Sequence, residues 1–142
     1  MRIRKITKTN IPILKKMCKE NGHQEYDMAK VDFAHSYIAT EKGEVIAYIV
    51  SQSTSLEETP ISIDIQCEEA MYYWRMLDVW CKEGYGEILR EIGCRMHNNS
   101  FKGFTEMAYW FTSDQGFEHY FKENNIYIMP VEEDGEIKYW AK

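Results

Sequence analysis

The chain has 142 residues, 44% hydrophobic and 28% charged, which is enough for one core of ordinary size and too few for two comfortable domains. Its net charge of −6 argues against nucleic acid as the main partner, because phosphate binding needs a concentrated basic surface, and suits a cationic or amine-bearing partner better. No apolar run approaches the roughly 20 residues of a membrane-spanning helix, and MRIRKITKTN lacks the apolar core of a signal peptide, so a soluble, cytoplasmic protein with no membrane partner is expected.

Arg2 to Thr7 sets Ile3 and Ile6 among basic neighbours and predicts a short first strand. A helix opens near Asn10, where Thr9 or Asn10 can cap the first amides and Pro12 is tolerated. Ile11, Leu14, Met17 and Cys18 form its apolar stripe, and Gly22 ends it. Gln24 to His35 carries a weaker helical pattern through Tyr26, Met28, Val31, Phe33 and Ala34. SYIAT and VIAYIV flank the turn Glu41-Lys42-Gly43-Glu44 and predict an antiparallel hairpin.

SQSTSLEETP then reads as a polar loop, and ISIDIQ alternates as a half-buried strand. Met71 to Trp80 is ambiguous by period: Tyr73, Leu77 and Trp80 share a helical face, Leu77 and Val79 a strand face. Its aromatic and β-branched content favours a strand. Ile88, Leu89, Ile92 and Met96 then form the stripe of a helix ending near Asn98-Asn99. TEMAYWF is apolar enough for a strand buried on both faces, and Ser113 or Asp114 can cap a short helix through Phe117, Tyr120 and Phe121. IYIMP and EIKYW make a last hairpin around Glu133-Asp134-Gly135. The predicted order is β, α, α, three or four strands, α, β, α, β, β, in a single domain over residues 1–142.

Chemistry has few places to reside. Cys18, Cys67, Cys81 and Cys94 stand apart without a CxxC spacing and the four histidines are scattered, so neither a disulfide framework nor a metal site is expected. The stretch CKEGYGEILREI is more informative. It opens a helix just after Gly84 and Gly86, where unpaired amides and the positive end of the helix dipole can receive phosphate oxygens, with Lys82 adding one positive charge. Glu83 and Glu87 oppose an anion there, and a turn that merely needs glycine geometry fits the same residues.

The hairpin SYIATEKGEVIAYIV after one or two N-terminal helices, a following strand, GYGEILREI opening a helix, then TEMAYWF and SDQGFEHYFKENNIY together resemble the GCN5-related N-acetyltransferase family over nearly the whole chain. The resemblance implies an α/β (α+β) acyl-CoA N-acyltransferase-like fold. Its sheet is mixed, mostly antiparallel with a splayed parallel central pair, and about four helices flank it. It also implies acetyl-CoA as acyl donor, with the pantetheine arm beside Leu77, Asp78 and Val79. The diphosphate then lies on the amides of Gly84, Tyr85, Gly86 and Glu87, with Lys82 and Glu83 in the same loop. Cys81 stands where the family usually has Arg or Gln, and Phe121 where it often has a proton-donating Tyr.

An acetyl transfer needs an acid for the departing thiolate and a base for the ammonium. Tyr120, one residue before Phe121, or His119 can supply the acid, and Asp78, Glu68 or Glu69 the base; Tyr120 as a core aromatic is the structural alternative. Trp74 and Trp80 flank the cofactor strand as candidate walls for a substrate. The reading is therefore an N-acetyltransferase acting on an amine of a small molecule or protein, with a homodimer left open. Two rivals are a binding or regulatory protein on the same fold with catalysis lost, and a ligand-free α+β interaction module in which Met71 to Trp80 is helical.

Overall fold

The computed structural model describes residues 1–23, 25–54, 72–101, 107–112, 128–133 and 136–141. Strand β1 (Arg2–Lys5) leads through a 3-10 turn at Lys8–Asn10 into helix α1 (Ile11–Glu20). Pro12 lies in the first turn of that helix, where its missing N–H leaves no bond unmade. The chain leaves α1 through Gly22 at φ 69°, a left-handed backbone that glycine takes without a side-chain clash.

The weak helical pattern expected from Gln24 to His35 is not an α-helix; Gln24 itself lies outside the described residues. Two 3-10 turns stand there, Met28–Lys30 and Phe33–His35. Asp27 and Asp32 cause this, because each carboxylate accepts from the amide two residues on, Ala29 at 2.9 Å and Ala34 at 3.0 Å. Such local bonds compete with the helical ladder.

The expected hairpin forms as β2 (Tyr37–Glu41) and β3 (Glu44–Thr54). Lys42 and Gly43 take φ of 52° and 79°, the paired positive values of the turn whose twist matches its strands. Ser51 to Thr54, expected in a loop, instead continue β3, paired with Met76 to Tyr73 of the next strand. Their polarity misleads because distant groups satisfy it: Ser53 Oγ donates to Asp32 Oδ2 at 2.7 Å and Ser51 Oγ to Met96 Sδ at 3.5 Å. The strand expected at ISIDIQ lies outside the described residues.

The ambiguous stretch is strand β4 (Tyr72–Cys81), which removes the rival that needed a helix there. Helix α2 (Gly86–Phe101) follows and runs past Asn99. Then come β5 (Met107–Thr112) and the terminal hairpin of β6 (Ile128–Glu133) and β7 (Glu136–Ala141). The short helix expected after Ser113 lies outside the described residues, so two α-helices are seen there where about four were expected.

The seven strands among the described residues join one sheet in the order β1-β2-β3-β4-β5-β7-β6, with β4 and β5 its parallel pair and every other neighbour antiparallel. Each face of the sheet has its own core. Leu89, Ile92 and Met96 of α2 pack on Ile46, Ile49, Trp74 and Met76. On the opposite face Leu14 of α1 joins Ile6, Val31, Ile38, Tyr48 and Val50. The stripes read from the sequence on both helices are thus the ones that are buried. No helix among the described residues is long and apolar enough to cross a membrane.

Candidate active site

The sheet opens in its middle. β4 and β5 pair from Tyr72↔Met107 to Arg75↔Trp110 and no further. Yet β4 continues to Cys81 against β3, and Phe111 and Thr112 of β5 still pair with β7. Both strands run on past their last shared position, so they part. From Met76 to Cys81 one backbone edge of β4 has no strand partner among the described residues, which leaves donors and acceptors for an extended ligand.

The glycine turn closes the end of this cleft. The Lys82 N–H donates to Ile46 O at 2.8 Å and the Tyr85 N–H to Lys82 O at 3.0 Å, and the chain reverses through Gly84 at φ 88°. Ile88 and Leu89 both donate to Tyr85 O, so the amides of Gly86 and Glu87 precede the helical ladder of α2. A Cβ built on Gly84 or Gly86 meets no atom within 4 Å, so the space in front of the turn is open. Lys82 points its charge at Glu44, 3.1 Å away, and the Tyr85 hydroxyl reaches Glu41 at 3.4 Å. The hydrogen bond from Lys82 to Glu44 raises the lysine pKa. The turn thus offers backbone amides first and a side-chain cation only if an exposed ion pair yields.

A register shift lies beside the cleft. Ser51 pairs with Met76 and Val50 with Asp78, so Leu77 is an extra residue, a β-bulge. Met76 and Val79 consequently pack on the α2 face, and Leu77 and Trp80 on the α1 face. Asp78, buried at 3% exposure, turns its carboxylate towards α1 and the segment after it. Four groups surround it: His23 Nδ1 at 2.5 Å from one oxygen, the hydroxyls of Tyr48 at 2.9 Å and Tyr26 at 3.4 Å on the other, and the Cys18 thiol. Burial first, and then the charge of Asp78, push both phenols well above their ordinary range. The same two causes raise the Cys18 thiol, so all three remain protonated.

Of the residues singled out from the sequence, Leu77, Asp78, Val79 and the turn from Lys82 to Glu87 do lie together along one edge and its end. Asp78 faces neither open cleft nor solvent with its side chain. Trp74 is a core residue that donates to Asp32, and Trp80 stacks on Tyr48 with centroids 5.7 Å apart. Tyr120, His119, Glu68 and Glu69 lie outside the described residues. The sequence reading passed over His23, Tyr26 and Tyr48, whose grouping rests on contacts spanning 55, 52 and 30 residues and leaves no local mark.

The sheet and its helices have the fold of the GCN5-related N-acetyltransferases. No protein-family model and no curated protein matches the sequence. Solved structures do. Arabidopsis thaliana NAA60 in complex with acetyl-CoA is 13% identical, with TM-score 0.66 over 99% of this chain and 96% of that one. Arabidopsis thaliana Naa50 in complex with the bisubstrate analogue CoA-Ac-MVNAL is 11% identical, with TM-score 0.60 over 99% and 97%. Diaminobutyrate acetyltransferase EctA from Paenibacillus lautus, in complex with L-2,4-diaminobutyric acid and coenzyme A, is 12% identical, with TM-score 0.62 over 99% and 93%.

Proposed function

We propose that the chain is an N-acetyltransferase that takes acetyl-CoA as donor and an amine of a small molecule or peptide as acceptor. The observation that carries this reading is the open β4 edge from Met76 to Cys81 running straight into the Gly84–Gly86 turn. When bound there, acetyl-CoA supplies an activated acetyl thioester. The backbone at Leu77, Asp78 and Val79 holds the extended pantetheine by strand-like hydrogen bonds. The amides of Gly84, Tyr85, Gly86 and Glu87 face the diphosphate, helped by the α2 dipole. Lys82 joins them by leaving Glu44; both partners are about half exposed, so the exchange costs little. Glu83 and Glu87 are exposed, so solvent screens their charge.

For the chemistry, Tyr120 donates the proton to the leaving thiolate, with His119 its alternate. The solved structures just named, with acetyl-CoA, a bisubstrate analogue, and an amine with coenzyme A, support donor and acceptor classes. Titration calorimetry with acetyl-CoA tests the reading. Saturable binding supports it, and no detectable heat at millimolar ligand ends it. Replacing Tyr120 by Phe is expected to slow transfer by about 100-fold or more at unchanged acetyl-CoA affinity. Full activity in that variant passes the acid role to His119 or water. Binding without transfer to any amine selects the regulatory reading.

A further inference from the structure

We infer that His23, positioned by Asp78, is the proton acceptor for the incoming amine; this rests on the acetyl-transfer reading. Three observations converge on it. The bulge at Leu77 puts the Asp78 backbone on the open β4 edge, while its carboxylate lies on the α1 face. One residue therefore joins the open β4 edge to the α1 face of the sheet.

The carboxylate is also divided between partners. Tyr48 and Tyr26 occupy one oxygen and His23 Nδ1 the other. An ionised carboxylate only accepts, so Nδ1 carries a proton, and whenever the ring is neutral its lone pair is on Nε2. The pair has a buried and a wet end, since the side chain of Asp78 is 1% exposed and that of His23 34%. A histidine oriented by a buried carboxylate is the arrangement that takes and returns protons in other acyl transfers. His23 itself faces Asp78; Tyr26, Tyr48 and Cys18, all protonated, stand around that carboxylate, and Glu25 acts on Cys18.

The third observation is a route. A cavity of about 700 Å³ between α1 and residues 25–29 is lined by Lys15, Cys18, Lys19, Glu25, Tyr26 and Met28, among others. That volume suits a small ligand or a peptide end. Cys18 and Tyr26 belong to both the cavity and the Asp78 cluster, and Cys18 Sγ lies 3.8 Å from the His23 carbonyl. Through Cys18 and Tyr26 the cavity adjoins the Asp78–His23 pair.

The step balances as follows. The ammonium gives one proton to Nε2, and the resulting imidazolium, held by Asp78, later releases it to water. The amine lone pair forms the N–C bond, the C–S bond breaks, the CoA sulfur takes the proton of the acid already named, and the second amine proton restores that acid.

Two readouts test this. In the protein alone, 15N–1H correlation spectra of His23 are expected to show the Nδ1–H tautomer; the Nε2–H tautomer overturns the inference whatever the fate of acetyl-CoA. With the peptide MVNAL and L-2,4-diaminobutyric acid as amines, His23→Gln is expected to lower kcat/KM by about 100-fold or more. It leaves acetyl-CoA affinity unchanged and abolishes the acid limb of the pH profile. His23→Gln matching an active wild type at every pH overturns this inference alone. Wild-type protein that binds no acetyl-CoA overturns the transfer reading as well.

Discussion

Asp32 shows how one side chain can hold an irregular segment in place. Its Oδ2 accepts from His35 Nδ1 at 2.8 Å, Ser53 Oγ at 2.7 Å and Trp74 Nε1 at 2.7 Å, while Oδ1 takes the Ala34 amide. It thereby fastens residues 28–35 to both β3 and β4. Burial alone raises the carboxyl pKa, but the bonds from His35, Ser53 and Trp74 outweigh it and hold the group well below its usual range. A folded-state pKa below the unfolded one stabilises the protein above the unfolded value, about 3.9, and the gain is lost as pH falls through the folded value. Asp32→Asn sets an amide donor among these donors. It is expected to cost about 1–3 kcal/mol at neutral pH by urea denaturation, with the gap to wild type narrowing below about pH 4. A constant gap across that range shows that packing, not charge, is what Asp32 provides. None of its long partners was legible in the sequence, because Ser53 and Trp74 lie 21 and 42 residues away.

At the scale of elements, the two glycines of the turn separate geometry from binding. Gly84 has φ 88°, so any side chain there strains the backbone by about 1–2 kcal/mol, and Gly84→Ala is expected to lower thermal stability. Gly86 needs no such freedom and has open space before it. Gly86→Val is expected to keep the melting temperature near wild type while abolishing acetyl-CoA binding; calorimetry showing unchanged affinity makes the turn purely structural. β4 shows why periodicity failed. The bulge at Leu77 sends Leu77 and Trp80 to one face and Met76 and Val79 to the other. A spacing of three within a strand imitates a helical stripe, and a bulge is set by the partner strand, not by the local residues. The helices α1 and α2 were legible because a one-sided apolar stripe of helical period has few other ways to be buried.

For the molecule as a whole, ligand binding and stability are linked through the parted strands. Acetyl-CoA at 100 times its Kd is expected to stabilise the fold by about 2.7 kcal/mol, a rise of several degrees in melting temperature. Hydrogen exchange should locate the effect at the amides of residues 76–81 and 84–87. Protection confined to other strands contradicts ligand on the β4 edge.

The sequence by itself determined the N-terminal helix, the Lys42-Gly43 hairpin, the glycine turn and helix from Gly84 to Phe101 and the final hairpin, because stripes and turn glycines act over a few residues; for β4 only composition pointed to a strand. Tertiary structure alone decided the parting of β4 from β5, the continuation of β3 through Ser51 to Thr54, and the joining of His23 to Asp78 across 55 residues. Their free energy lies in contacts between segments far apart in the chain, which no local pattern records.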